Sequence, residues 1–233
     1  MSEIESLFSG IGGSFITPAA QLRRKIDGIK AIIFDWDGVF NQGQKADSGG
    51  SPFSEPDAMG INLLRFSFWL RQGTIPPTAI LSGEDNPGSR HLALREHYAA
   101  AYLKSTNKKK AFDHFLKRFE LSPNQVAFIF DDVLDLGLAE ICGLRVQVRR
   151  RGSPMFTQWV ARHGLADYVT GQEGGQSAVR EACELLMGLA DGFDQALVER
   201  KSFSPGYSRY LDERNLLSTE LYLLSGGEIK AIS

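Results

Sequence analysis

The sequence predicts an α/β fold in which a mostly parallel β-sheet carries helices on both faces. Short apolar runs of strand length alternate along most of the chain with longer segments that have the 3.6-residue periodicity of helices. This alternation favours a parallel sheet, because each helix returns the chain to the same edge. Several apolar runs also end in Asp or Ser-Gly, and parallel sheets bind their ligands at such strand ends.

The first strand of this pattern, the apolar run 31–34, leads into Asp35-Trp36-Asp37-Gly38. In an extended chain Asp35 and Asp37 point the same way, one pleat apart. One carboxylate can then act as nucleophile and metal ligand while the other transfers a proton. The pattern also fits a strand followed by a simple Asp-Gly turn, which is common. The residues downstream therefore decide between the two interpretations.

The segments that follow continue the alternation. Residues 41–56 are rich in Gly, Ser, Asp and Pro, which indicates a loop or a weak hairpin. Helical periodicity begins at Asp57 and stops at Gly73. Beyond it we expect strands over 79–81, 101–103, 126–130, 144–148 and 167–170, and helices over 88–98, from 107 to the Ser-Pro break at 122–123, and over 133–142, 154–163 and 176–190.

We divide the chain into three parts. Residues 1–28 form an N-terminal extension packed on the surface, residues 29–190 form the core domain, and residues 191–233 form a C-terminal extension. We expect this C-terminal tail to pack on the core or on a neighbouring subunit and to border the substrate pocket in part. A surface extension that only adds stability is the alternative.

Composition narrows the class of protein. A net charge of -2 gives no reason to expect nucleic acid or an anionic membrane as a partner. No apolar run approaches the roughly 18 residues of a membrane span, and the N-terminus is acidic where a secretory signal would be basic. The two cysteines lie in apolar surroundings typical of buried free thiols. We therefore expect a cytoplasmic protein.

The strand ends supply the groups that phosphate chemistry needs. Crossovers of one hand place the ends of parallel strands at one edge, which would collect Asp35, Asp37, Ser82 and Asp131. The three carboxylates suit Mg²⁺, which binds through a few carboxylates, waters and a substrate phosphate. The Ser82 hydroxyl and the neighbouring backbone N–H groups can bind phosphate oxygens. A run of three lysines at 108–110 supplies a cation, and we expect one of the three to turn inward.

Taken together, these motifs resemble the haloacid dehalogenase (HAD) superfamily of phosphohydrolases. Within it the chain is most similar to the capless 3-deoxy-D-manno-octulosonate 8-phosphate phosphatases, over roughly residues 29 to 190. The resemblance implies a Rossmann-like three-layer sandwich without a large cap domain. It is carried by Asp35-x-Asp37-Gly-Val, Asp57-Ala-Met-Gly60-Ile, Ser82-Gly83, Asn107-Lys108, Asp131-Asp132-Val-Leu-Asp135, Ala166-Asp167-Tyr-Val-Thr-Gly and Gly174-Gly175-x-x-Ala178-Val-Arg-Glu181.

The resemblance also implies a role for each site residue. Asp35 would attack phosphorus and form an aspartyl-phosphate, and Asp37 would protonate the leaving oxygen and later activate water. Ser82, Gly83 and Lys108 would bind the transferring phosphoryl group.

The metal site follows from the same resemblance. Asp35, Asp131 and the backbone carbonyl of Asp37 would hold Mg²⁺. Asp132 and Asp135 would order its waters or the lysine.

The chain also departs from the family pattern. Phe130 stands where glycine is usual before the acidic pair, and Glu84 stands where an arginine is common. The segment between Gly38 and Gly60 is shorter than in the octulosonate phosphatases, in which a hairpin at this place helps to build a tetramer.

We expect a Mg²⁺-dependent phosphomonoesterase that acts on a small phosphorylated metabolite, such as a sugar acid phosphate, as a possible homo-oligomer. Two alternatives stay open. One is a dehalogenase or phosphonatase of the same superfamily, and the other is a catalytically silent binding or scaffold protein.

Overall fold

The computed structural model describes residues 2–45, 50–225 and 227–232. Its ten α-helices and nine β-strands in these residues are, in chain order, α1 Glu3–Gly10, β1 Ser14–Phe15, α2 Ala19–Ile26, β2 Ala31–Asp35, α3 Glu55–Gln72, β3 Thr78–Leu81, α4 Pro87–Arg95, β4 Ala100–Leu103, α5 Lys108–Arg118, β5 Val126–Phe130, α6 Leu136–Ala139, β6 Leu144–Arg149, α7 Pro154–Arg162, β7 Tyr168–Glu173, α8 Ala178–Leu189, α9 Phe193–Lys201, α10 Pro205–Asn215, β8 Glu220–Ser225 and β9 Glu228–Ile232.

All nine strands form one sheet, in the order β1-β7-β6-β5-β2-β3-β4-β8-β9. The seven central strands are parallel, whereas β1 and β9 at the two edges run antiparallel to their neighbours. Helices cover both faces, with α3 and α8 over one hydrophobic core and α5, α6 and α7 over the other. The predicted α/β sandwich is therefore confirmed.

Strand β2 shows why the sequence folds in this way. Its apolar side chains alternate between the two cores, Ile32 and Phe34 on one face and Ala31 and Ile33 on the other. A strand covered on both faces has to be apolar at every position. The first residue that is not apolar, Asp35, lies where the strand leaves the sheet.

Most predicted elements are present, with shifted ends. Helix α4 stops at Arg95 instead of 98, because the chain turns at His97 with a left-handed φ of 53°. The helix predicted over 133–142 is a 3-10 turn, Val133–Asp135, followed by the single turn of α6. Strand β7 continues to Glu173, three residues further than predicted.

The segment between β2 and α3 is a loop where the structure describes it, at 36–45 and 50–54. The remainder of the predicted loop or hairpin, 46–49, lies outside the described residues. Helix α3 then begins at Glu55, two residues before the predicted start, because the Ser54 hydroxyl accepts a hydrogen bond from the Asp57 N–H and caps the helix. No cap domain is inserted in the described residues.

Both terminal segments contribute to the sheet. Helix α2 buries Ala19, Leu22 and Ile26 in the core, and β1 pairs with β7. In the C-terminal tail, Tyr207 and Tyr210 pack on Phe66 of α3, and β8 extends the sheet beside β4. The division at residues 28 and 190 stays a prediction. Among the described helices, none is long and apolar enough to span a membrane.

Candidate active site

The carboxyl ends of β2, β3, β4 and β5 meet the start of α5 around one cavity of about 340 Å³. The residues that line it come from the loops after these strands and from the loop after β6. They are Asp35, Asp37, Gly43, Lys45, Gly83, Glu84, Ser105, Thr106, Lys108, Asp131, Asp132, Leu134, Asp135 and Arg150. None of the described residues of the C-terminal tail lines the cavity, so the expectation that the tail borders it within one chain is wrong.

A buried lysine joins two of the carboxylates. Lys108 Nζ donates to Asp35 Oδ1 at 2.5 Å and also to Asp135 Oδ1. Lys108 is the first residue of α5 and only 7% exposed, whereas Lys109 and Lys110 point to solvent and bind Asp113 and the Gly227 carbonyl. The helix start therefore turns one lysine of the three into the site.

The third carboxylate, Asp131, directly follows β5 and forms an ion pair with Arg150. Gly38 allows the loop after β2 to lie close to the Asp131 carboxylate. Its φ is +85°, and a Cβ atom there would lie 1.9 Å from Asp131 Oδ2. Only glycine combines that backbone conformation with so close a contact.

Burial and mutual repulsion disfavour the charged forms of these three acids. Burial raises the pKa of Asp35 to about 6, with Lys108 opposing the shift and Asp131 adding to it. Burial and the charge of Asp35 raise the pKa of Asp135 to about 7. The pKa of Asp131 rises to about 6 through burial, against the effect of Arg150. Burial alone would lower the pKa of Lys108, but Asp35 and Asp135 raise it above its ordinary value.

The donor set fits a hard divalent cation. One oxygen from each of Asp35, Asp131 and Asp135 lies within 4.8 Å of the others, and all three residues are buried. Mg²⁺ prefers carboxylate oxygens, and its charge would offset the repulsion that raises these pKa values. The Asp37 carboxylate lies outside this cluster and accepts from the Ser51 hydroxyl at 2.8 Å. The expected metal contact through the Asp37 backbone carbonyl stays a prediction.

The remaining expected residues lie nearby in different environments. Ser82 is fully buried, its Oγ accepts from the Glu84 N–H at 3.3 Å, and only its neighbour Gly83 lines the cavity. Asp132 is exposed and its carboxylate accepts from the Val133 N–H at 2.7 Å. The functional roles of all these residues stay proposals.

The two unusual residues do not block the site. Phe130 points away from the cavity into the core, where its ring stacks 5.5 Å from that of Phe128. Glu84 lines the cavity but is exposed, and it forms an ion pair with Lys45 at 3.6 Å. The motivation for a catalytically silent protein is correspondingly weaker.

Two residues of the site, Ser51 and Arg150, were not among the predicted site residues. Two motif residues are structural: Asp57 accepts from the Arg180 N–H at the start of α8, and Glu181 accepts from the N–H groups of residues 171 and 172. These contacts join different elements of the fold, and Asp57 and Arg180 are 123 residues apart in the chain, so no local signal predicts them.

The chain is similar to curated phosphatases. No family model matches it. The 3-deoxy-D-manno-octulosonate 8-phosphate phosphatase of Salmonella typhi is 30% identical over 172 residues, which are 72% of this chain and 84% of the relative. The enzyme of the same name from Haemophilus influenzae is 28% identical and covers 75% of this chain and 93% of its own.

Solved structures agree with this similarity. A phosphatase of the same name from Moraxella catarrhalis, solved with a magnesium ion, a phosphate ion and 3-deoxy-D-manno-octulosonate (KDO), superposes with a TM-score of 0.64 at 25% identity, over 76% of this chain and 97% of the other. A Legionella pneumophila protein described as a HAD superfamily hydrolase (subfamily III A) gives 0.66 at 27% identity, over 82% and 95%. The chain therefore belongs to the 3-deoxy-D-manno-octulosonate 8-phosphate phosphatase family of the HAD superfamily.

Proposed function

We propose that this chain is a Mg²⁺-dependent phosphatase that hydrolyses the phosphomonoester of a small sugar acid, with 3-deoxy-D-manno-octulosonate 8-phosphate as the first candidate substrate. One observation carries the proposal. Asp35 lies at the cavity, held by the buried Lys108, with Asp131 and Asp135 beside it and Asp37 two residues further along the chain.

Asp35 acts as the nucleophile. Its carboxylate oxygen forms a bond to phosphorus while the bond from phosphorus to the ester oxygen breaks, which leaves an aspartyl-phosphate. Asp37 gives its proton to the departing oxygen. In the second step Asp37 takes a proton from the water that attacks phosphorus, which releases phosphate and restores the Asp35 carboxylate.

Lys108 and backbone N–H groups of the site bind the negatively charged phosphoryl group during both steps. The lysine lies between two carboxylates, so its position is fixed before substrate enters, and fixed donors stabilise a developing charge without reorganisation. Asp35, Asp131 and Asp135 would hold Mg²⁺, with the Asp37 carbonyl as the family resemblance implies. When bound, the ion supplies positive charge against the phosphoryl oxygens.

Arg150 supports a substrate with a second negative group. Its side chain is 42% exposed, lines the active-site cavity and also lines an adjoining cavity of about 240 Å³ with Gln42, Arg149 and Glu173. A guanidinium group binds a carboxylate in a bidentate manner. We assign Arg150 to the carboxylate of the sugar acid.

The alternatives fit the site less well. A dehalogenase needs neither a metal nor a proton donor, so three clustered carboxylates beside Asp37 would have no use in it. A silent binding protein would need no buried ion pair at a nucleophile position, because burial of charged groups costs stability.

A phosphate-release assay tests the proposal. The substrates are 3-deoxy-D-manno-octulosonate 8-phosphate, arabinose 5-phosphate, which lacks the carboxylate, and p-nitrophenyl phosphate, each with Mg²⁺ and with EDTA. We expect Mg²⁺-dependent release, highest for the sugar acid phosphate and lost in Asp35→Asn. The control is Asp113→Asn, whose exposed side chain pairs with Lys109. Full activity in EDTA or in Asp35→Asn would refute the proposal.

Two further proposals concern the oligomeric state of the protein and its location in the cell. The family resemblance supports a homo-oligomer, which light scattering checks. The two cysteines, both buried and free, support a cytoplasmic location, which cell fractionation checks.

A further inference from the structure

Ser51 occupies an unusual position in the loop between β2 and α3. It is 5% exposed, and its hydroxyl oxygen has three hydrogen-bond partners. Trp36 Nε1 lies at 3.0 Å, Asn86 Nδ2 at 2.7 Å and Asp37 Oδ1 at 2.8 Å. A neutral hydroxyl therefore connects the proposed acid–base residue to two buried side chains.

The direction of each hydrogen bond follows from the chemistry of the partners. The Trp36 indole nitrogen can only donate. The Asn86 side-chain oxygen accepts from the Gly88 N–H at 2.9 Å and caps α4, so its NH₂ group faces Ser51 and donates as well. These two donors occupy both lone pairs of the Ser51 oxygen. Its single proton is left for Asp37 Oδ1.

We propose that Ser51 is a positioning residue for proton transfer: it holds Oδ1 of Asp37 as an acceptor, so that Oδ2 carries the proton given to the leaving oxygen. A carboxyl oxygen that accepts this hydrogen bond is not the one that bears the acidic proton. The inference rests on the proposed function, because it requires Asp37 to act as acid and then as base.

The surroundings make this arrangement rigid. Trp36 is fully buried and stacks on Phe40 with 4.6 Å between ring centroids, and Asn86 is 1% exposed. Neither donor can turn away without leaving a buried polar group unpaired, which is costly. The Asp37 carboxyl group is therefore fixed before substrate binds, as catalysis by positioned groups requires.

The test compares leaving groups. Loss of positioning should slow the first step for a sugar phosphate, whose alkoxide needs a proton, but not for p-nitrophenyl phosphate, whose phenolate leaves without one. Ser51→Ala should therefore slow hydrolysis of the sugar acid phosphate by about 3- to 10-fold, the factor that a hydrogen bond to a neutral group represents. The burst of p-nitrophenolate in rapid mixing should keep its rate, while the steady state after it slows.

Two further variants complete the design. Asn86→Asp still caps α4 but accepts where Asn86 donates, so it should draw the Ser51 proton away from Asp37 and reproduce the selective loss with the hydroxyl in place. Ser89→Ala is the matched control, because it removes a buried hydroxyl that donates to the Asn86 carbonyl at 2.8 Å and does not touch Asp37. Ser89→Ala should leave the rates of hydrolysis of both substrates unchanged.

The possible results distinguish the positioning role of Ser51 from the phosphatase function on which it rests. Selective loss in Ser51→Ala and in Asn86→Asp, measured per folded protein by circular dichroism, supports the inference. An equal loss in the hydrolysis rate of the sugar acid phosphate and in the burst rate of p-nitrophenolate, or no loss in either, overturns it while the phosphatase activity stands. A wild-type protein that is inactive on every ester in Mg²⁺ refutes the proposed function itself.

Discussion

Replacing Asp35 with Asn should stabilise the metal-free protein while it abolishes hydrolysis. Burial raises the pKa of Asp35 from 3.8 to about 6. Each pKa unit corresponds to about 1.4 kcal/mol, so the ionised carboxylate lowers the free energy of unfolding by at most about 3 kcal/mol at a pH above the folded pKa. The amide is itself a buried polar group, and we therefore expect a net gain of about 1–2 kcal/mol.

The pH dependence of this gain has a definite sign. A carboxyl group whose pKa is raised on folding binds its proton more tightly in the folded state. Its ionisation therefore destabilises the fold above the folded pKa, and the cost disappears as the pH falls towards the unfolded value. The advantage of Asp35→Asn should be complete near about pH 8 and absent near about pH 4.

Urea unfolding in EDTA and in Mg²⁺ measures the effect. In EDTA the variant should unfold at higher urea than the wild type, and Mg²⁺ should reverse the order because only the wild type binds the ion well. Asp113→Asn is the control, since Asp113 is exposed, lies outside the site and should leave stability unchanged. An Asp35→Asn protein less stable than the wild type in EDTA near about pH 8 would refute the electrostatic reasoning.

Three further predictions concern the metal, the substrate and the tail. Asp131→Asn should weaken Mg²⁺ binding, so that activity returns in part at high Mg²⁺. Ca²⁺ should inhibit the wild type, because its looser coordination misplaces the reacting groups. An Mg²⁺ titration of the variant that matches that of the wild type would contradict this prediction. Arg150→Gln should raise KM for the sugar acid phosphate by about 10-fold or more while KM for p-nitrophenyl phosphate changes little, and equal changes would argue against a carboxylate contact. Tyr210→Ala should lower the free energy of unfolding by about 3–5 kcal/mol, because it removes a fully buried ring that packs on Phe66 and Trp69; a urea midpoint equal to that of the wild type would show that the tail does not support the core.

Local patterns predicted the framework of the fold and the placement of the main site residues. Fully apolar runs of strand length such as 126–130 are typical of strands buried on both faces, and the ends of parallel strands share one edge, which places Asp35 and Asp131 together. The sequence also predicted where α5 begins. The first residue of this helix lies at the edge where the parallel strands end. The resemblance to known phosphatases singled out Lys108 among the three lysines.

The features that escaped prediction depend on contacts between distant segments. Ser51 lies in an irregular loop and is brought to Asp37 only by the packing of Trp36 and Asn86. Arg150 sits in an arginine run that looks solvated in the sequence. The hairpin of β8 and β9 was missed because neither strand alternates strictly: the two buried residues of β8, Leu221 and Tyr222, are adjacent, and β9 is exposed or half-buried throughout.

The identity of the nucleophile is the claim on which the mechanism depends, and a trapped intermediate tests it most directly. Asp37→Ala lacks the base for the second step, so p-nitrophenyl phosphate and Mg²⁺ followed by an acid quench should leave a phosphoryl group on the protein. Mass spectrometry of the peptides should place that group on Asp35. A phosphoryl group on any other residue, or wild-type turnover with no adduct trapped in Asp37→Ala, would contradict the account.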